Sequence, residues 1–157
     1  MGRAEAPAIQ DAASRMRTVE SVTDGDTLIL DGGEKVRLIG IDTPEIHDSD
    51  RNGRAARRNG LGARIVDDYA VRARAFVEKT LRGHAVRLEY DWERKDRYGR
   101  TLAYVYRDPD GLFVNAALLK EGYGFAFTKF PFKHMEEFRR LEREARESRT
   151  GFWGDRS

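Results

Sequence analysis

The chain contains no cysteine. That excludes both a disulfide framework and a thiolate metal site, and leaves packing as the source of stability. Histidine is scarce at three in 157 residues. His47 has no second histidine near it, so it reads as a surface residue rather than half of an imidazole metal site. No apolar run approaches the roughly 20 residues needed to cross a bilayer, so no membrane association is expected. An excess of one charge is also missing. The 29 basic and 27 acidic residues nearly cancel, so bulk charge would not hold a polyanion, and any phosphate recognition must come from local placement of Arg and Lys. Neither an internal repeat nor a low-complexity tract is evident.

What is present suits one domain, since the chain is too short for two independent cores. Residues 1–15, rich in Ala, Glu, Pro and Gln, offer little to bury and are expected to form a flexible arm. Residues 16–154 form the expected domain and 155–157 a tail. The stretch from Met1 to Arg17 lacks the apolar core of a secretory signal. The expectation is a soluble monomer whose compartment stays open, secreted or periplasmic if a leader has been removed.

Short β-branched or alternating segments run from Arg17 to Val22, Thr27 to Leu30 and Lys35 to Ile41, separated by Asp24-Gly25 and Asp31-Gly32-Gly33 turn signals. The Arg-, Asn-, Gly- and Asp-rich stretch between Glu45 and Ile65 shows no sustained periodicity and is expected to be a long loop. From about Asp67 to Leu81, Ala70, Ala73, Phe76, Val77 and Leu81 recur at helical spacing, with Gly83 as the stop. Strands are expected at Ala85 to Tyr90 and Thr101 to Tyr106, and helices at Asn115 to Glu121 and from about Lys133 to Glu147. Trp153 reads as a plug that docks the tail. This order of elements predicts an α+β fold, a five-stranded Greek-key barrel of the OB-fold type packed with three α-helices.

The chemistry-bearing residues lie at strand ends. Asp26 sits where a turn opens into a strand and Asp42 where a strand leaves into a loop. If those strands pair, the two carboxylates converge and need a cation between them; hard cations such as calcium prefer oxygen donors. Pro44 has no amide hydrogen and keeps Thr43 extended, which would leave the Thr43 carbonyl free to face an ion. Glu45 on the same exit is a candidate to hold or deprotonate a water. The competing reading is that Asp24, Asp26 and Asp42 only cap turns. Arg37, on an apolar alternation with Ile39 and Ile41, needs a partner, and with Arg100 it could grip a phosphate in a fork. Each arginine could equally pair with a carboxylate. Arg51, Arg54, Arg57, Arg58 and Arg64 suggest a basic flap or simply a solvated loop. The phenylalanines Phe125, Phe127 and Phe132 read mainly as core, and Phe130 as a base contact.

Several segments resemble the staphylococcal nuclease family. They are Asp24-Gly25-Asp26-Thr27, Arg37 to Glu45, Asp96-Arg97-Tyr98-Gly99-Arg100 with Thr101 to Val105, Val114-Asn115 with Leu118 and Gly122, and Gly151-Phe152-Trp153-Gly154. The resemblance spans about Arg17 to Gly154 in order. It implies Ca2+ held by Asp26, Asp42 and the Thr43 backbone carbonyl, with Glu45 activating water. Arg37 and Arg100 would bind the phosphate, and Arg97 and Tyr98 the nucleotide. The implied reaction is water attack on phosphorus with release of the 5′ oxygen, leaving 3′-phosphate ends on DNA or RNA, with single strands preferred. Two departures stand out. The 46–65 segment is longer and richer in Arg than in the best-known member, and phenylalanines replace tyrosines between Phe125 and Phe130. The alternative class is an OB-fold module that binds oligonucleotides without cutting them. Magnesium would suit the same oxygens.

Overall fold

The computed structural model describes residues 16–155, so the expected arm at 1–15 and the last two residues of the tail lie outside the described residues. Strands β1 (Arg17–Asp24), β2 (Thr27–Leu30) and β3 (Lys35–Leu38) form an antiparallel meander. A register shift in β1 between Val19 and Ser21 lets Val19 and Val22, three residues apart, both face the interior. A bulge of this kind resets the alternation that a regular strand would impose.

After β4 (Ile41–Asp42) come helices α1 (Ser49–Asn59) and α2 (Ala63–Leu81). Strands β5 (Ala85–Glu89) and β6 (Thr101–Arg107) follow, then α3 (Val114–Lys120), β7 (Phe125–Ala126) and α4 (Met135–Glu147). The barrel closes in the order β1-β2-β3-β6-β5, with β6 parallel to β3 and β5 antiparallel to β1. Full closure leaves the barrel no free edge to template pairing with other chains.

The expected barrel is present, with three corrections to the surrounding elements. The segment expected to be a loop contains α1, so the described residues hold four α-helices rather than three. Asp48 caps α1 by accepting the Arg51 amide at 3.0 Å, and Gly60 ends it in the left-handed region. Second, α2 begins at Ala63 rather than near Asp67; its buried stripe of Val66, Ala70, Ala73, Val77 and Leu81 belongs to the core.

Third, the strand expected from Lys35 to Ile41 is broken at Gly40, whose φ is 77°. A Cβ there would lie 2.5 Å from the Phe132 ring and 2.8 Å from that of Phe138. The break ends β3 and lets Ile41 and Asp42 pair instead with Ala126 and Phe125 in a separate two-stranded sheet.

The core gathers Val19, Leu28, Leu30, Val36, Leu38, Val86, Ala103 and Val105 from the barrel, closed by Leu118 and Leu119 of α3 and Phe138 and Leu141 of α4. On α4, Phe138, Leu141 and Ala145 form the buried stripe, with Glu136 and Glu137 in the first turn and Arg146 in the last, matching the helix dipole. Phe152 and Trp153 dock the end of the domain against Phe125, Ile65 and Tyr69, as expected for Trp153.

One polar side chain is built into this core. Asn115, with no exposed surface, accepts the Val105 amide at 2.9 Å and donates to the Ile39 carbonyl at 3.0 Å. It thereby ties β6 to the exit of β3, the same exit that carries Asp42. Asn115→Ala would leave a buried amide and a buried carbonyl unpaired, each costing about 1–3 kcal/mol. A stability loss of about 2–4 kcal/mol is expected from urea unfolding; a loss below about 1 kcal/mol would mean that water replaces the amide.

Candidate active site

The site lies where the β1–β2 turn, the end of β3, β4 and the first turn of α1 meet. Asp26 immediately precedes β2, and β2 pairs as expected with β3, whose exit leads through Gly40 to β4 and Asp42. Two bonds carry Asp26 on from that ladder: its carbonyl accepts the Leu38 amide at 2.9 Å, and its Oδ2 accepts the Thr43 amide at 3.0 Å. Convergence of the two aspartate segments therefore rests on the β2–β3 ladder, extended past the Gly40 break by a side-chain bond to Thr43. Gly25 allows the approach, because a Cβ there would meet the Thr43 hydroxyl at 2.9 Å and the Ala73 methyl at 2.9 Å.

Arg37 lies between the carboxylates. Its Nη1 donates to the carbonyls of Leu38 at 2.8 Å and Ile41 at 2.6 Å, anchoring it across the Gly40 break. Its Nη2 stands 3.5 Å from Asp26 Oδ2 and 3.7 Å from Asp42 Oδ1. The partner that a buried charge requires is thus a pair of acids. Because Nη1 is spent on carbonyls and Nη2 makes only longer contacts, the Nε–Nη2 edge is the fork that can turn to an incoming anion.

Arg51, on the first turn of α1, supplies a second cation. Its Nη2 lies 2.7 Å from Asp42 Oδ1 and its Nη1 lies 2.6 Å from Glu45 Oε2. Beside it, Asn52 is buried and holds the Glu45 backbone from both sides: Oδ1 accepts the Glu45 amide at 2.9 Å and Nδ2 donates to the Glu45 carbonyl at 2.7 Å. Nδ2 also donates to Asp67 at 2.9 Å, tying this clamp to α2. Neither role was visible in the sequence, where Arg51 reads as one arginine of a flap. The available signals were Asp48 as a cap, Gly60 as a stop and the i, i+3, i+4 spacing of Asn52, Ala55 and Ala56.

The electrostatics follow from this crowding. Burial pushes the Asp42 carboxyl above its ordinary range; Asp26 adds to the rise, while Arg51 and Arg37 oppose it. Glu45 is also pushed up by burial and by Asp24, Asp26 and Asp42, against the pull of Arg51. Burial acts to weaken the Arg51 guanidinium as an ion, but Asp42 and Glu45 outweigh it and hold its proton more tightly. The ion pair therefore favours the charged arginine, while burial still leaves the Asp42 carboxyl raised.

Asp26 and Asp42 are carboxylate oxygen donors side by side, burial raises the Asp42 carboxyl, and the buried Thr43 Oγ1 has no hydrogen-bond partner. These features fit a hard divalent cation. Among the described residues no group of three or more acidic, histidine or cysteine side chains forms a ready metal cage. The donors are those of a cation that completes its shell with backbone oxygen and water. A cavity of about 740 Å³ opens beside Glu45, walled by Ser21 to Asp24, Ile46, His47, Asp48 and Arg74; its lining does not include Arg37, Asp42 or Arg100.

The remaining candidates lie outside this cluster. Arg100 precedes β6, whose Thr101 and Leu102 pair with Val36 and Arg37. Its Nε donates to Asp96 Oδ2 at 2.7 Å, so the pairing with a nearby carboxylate weighed as the alternative is realised, and no hydrogen bond or ion pair joins it to Asp26 or Asp42. Burial acts to raise the Asp96 carboxyl, but the Arg100 amide and guanidinium and the Tyr98 amide together hold it low. Tyr98 is 70% exposed; its hydroxyl accepts from Arg97 at 3.0 Å and the guanidinium groups of Arg97 and Arg100 lie near its ring. Phe130 is 64% exposed and meets the Phe127 ring edge-on at 6.5 Å, while Phe125 and Phe132 are buried.

The sequence pattern of the staphylococcal nuclease homologues matches residues 35–155. A thermonuclease of Staphylococcus intermedius is 39% identical over 150 residues, covering 91% of this chain and 79% of its own. A thermonuclease of Staphylococcus hyicus is 34% identical, covering 94% of this chain and 80% of its own. The endonuclease YncB of Bacillus subtilis is 33% identical, covering 87% of this chain and 60% of its own.

Proposed function

The chain belongs to the staphylococcal nuclease homologues, and from that membership we propose that it is a calcium-dependent nuclease. It would hydrolyse phosphodiester bonds in DNA and RNA, preferring single strands. The observation that carries this reading is the junction of Asp26, Arg37, Asp42 and Glu45: two adjacent acids, an anchored arginine whose Nη2 makes only long contacts with them, and a carboxylate held up by burial. A module that only binds oligonucleotides has no need of buried acids beside the surface where it would hold phosphates.

Asp26, Asp42 and the Thr43 carbonyl would hold the calcium, which supplies Lewis-acid polarisation and offsets the charge of the phosphate. Glu45, held by its backbone on Asn52, takes a proton from the attacking water. Arg37 presents its Nε–Nη2 edge to the non-bridging oxygens, where charge grows as phosphorus becomes five-coordinate. Arg100, once released from Asp96, serves the side of the leaving 5′ oxygen, so that the break leaves a 3′-phosphate and a free 5′-hydroxyl. The exposed Tyr98 and Phe130 offer faces on which unpaired bases can stack, with Arg97 close to Tyr98.

The test is digestion of single-stranded and duplex DNA and of RNA, in calcium or in chelator, followed by end-group analysis. Calcium-dependent cutting to 3′-phosphate ends, faster on single strands, is expected. Binding without cutting in calcium would favour the recognition module instead, and 5′-phosphate products would refute the assigned direction of attack.

A further inference from the structure

Arg51 does something that the proposed chemistry does not call for. One guanidinium spans two carboxylates, Asp42 at 2.7 Å and Glu45 at 2.6 Å. The first is a proposed metal donor and the second is the proposed proton acceptor. A calcium ion bound by Asp42 would sit about 2.3–2.6 Å from a carboxylate oxygen, next to a guanidinium already on that carboxylate. Arg37 also approaches the same Oδ1, at 3.7 Å. Three cations cannot crowd one carboxylate without repulsion, and Arg37 is fastened by two carbonyls at 2.8 and 2.6 Å. Arg51 is the one able to leave: its side chain is 35% exposed and, among the described residues, it is held by the two acids.

The helix beneath it is fixed. Asp48 caps the Arg51 amide, and the next residue, Asn52, bonds to Glu45 and Asp67. The side chain can therefore swing while the clamp on the Glu45 backbone stays in place. We propose that Arg51 is a built-in counter-cation of the metal site, lying across Asp42 and Glu45 without calcium and displaced from Asp42 when calcium binds. The first turn of α1 would then set the calcium concentration at which the site fills and keep the acid cluster folded in its absence. This inference rests on the calcium reading above and adds a competitor to it.

The test is calcium titration calorimetry at fixed ionic strength on the wild type, Arg51→Gln and Arg54→Gln, with thermal unfolding of each in chelator and in saturating calcium. Arg54 is exposed on the same helix, so its variant controls for loss of a positive charge. Arg51→Gln is expected to bind calcium about tenfold more tightly, within the usual range for coupling between neighbouring sites. It should also melt lower in chelator and gain more from calcium than Arg54→Gln does. If Arg51→Gln does not fold in chelator, Arg51→Lys, which keeps the charge but cannot bridge two carboxylates in a fork, should show a smaller gain in affinity. Unchanged or weaker calcium binding in the Arg51 variants, with the wild type binding normally, overturns the inference and leaves the calcium reading intact. No calcium binding by any of the proteins overturns both.

Discussion

Arg37→Ala is expected to lower kcat/KM on single-stranded DNA by about a hundred- to a thousandfold, the usual cost of removing one preorganised group from a developing charge. The side chain is anchored before substrate arrives, through Leu38 and Ile41 carbonyls at 2.8 and 2.6 Å, so little reorganisation is needed when phosphate binds. The same substitution leaves Asp26 and Asp42 with one cation fewer, and a fall in melting temperature in chelator should accompany the kinetic loss. Arg37→Lys separates the two effects. A lysine keeps a charge near the acids but cannot offer a planar fork, so it should recover stability more fully than activity. Activity within a few-fold of wild type for Arg37→Ala would remove this residue from the mechanism.

Glu45→Gln is expected to reduce kcat by about a hundred- to ten-thousandfold, the range for losing a positioned proton acceptor. Calcium binding and fold should be retained. Glutamine keeps the shape, its oxygen can still accept from Arg51 Nη1, and Asn52 holds the backbone of this residue through main-chain atoms that the substitution does not touch. Single-turnover cleavage and calcium titration of the same preparation measure the two properties separately. If kcat holds while calcium binding weakens, Glu45 is a metal donor rather than a proton acceptor.

The barrel was legible in the sequence because it rests on local signals. Alternating β-branched residues from Thr27 to Leu30, Gly-rich turns at Asp31 to Gly33 and the apolar spacing of Ala70, Ala73 and Val77 each report a preference that survives folding. Helix α1 was hidden for the opposite reason. Its buried face is Asn52, Ala55 and Ala56, too small and too polar to raise an apolar periodicity, so a charged helix looked like a charged loop. The break at Gly40 was also hidden: alternation through Ile39 and Ile41 suggested continuity, and only the Phe132 and Phe138 rings, far along the chain, give the residue at 40 reason to lack a side chain.

The site divides along the same line. Sequence by itself determined the residue types and their order: Asp26, Arg37, Asp42, Thr43 and Glu45 at turn and strand ends, in the pattern of the family to which the chain belongs. Tertiary structure decided which of them meet and on what terms. It joined Asp26 to Thr43 through a side-chain bond beyond the end of the β2–β3 ladder, turned Arg100 onto Asp96, and drew Arg51 from an anonymous basic segment onto Asp42 and Glu45. Secondary-structure propensity is a preference of neighbours along the chain. A charge finds its partner through space, where burial makes an unpaired ion costly, and that cost is settled only once the barrel and its helices have packed.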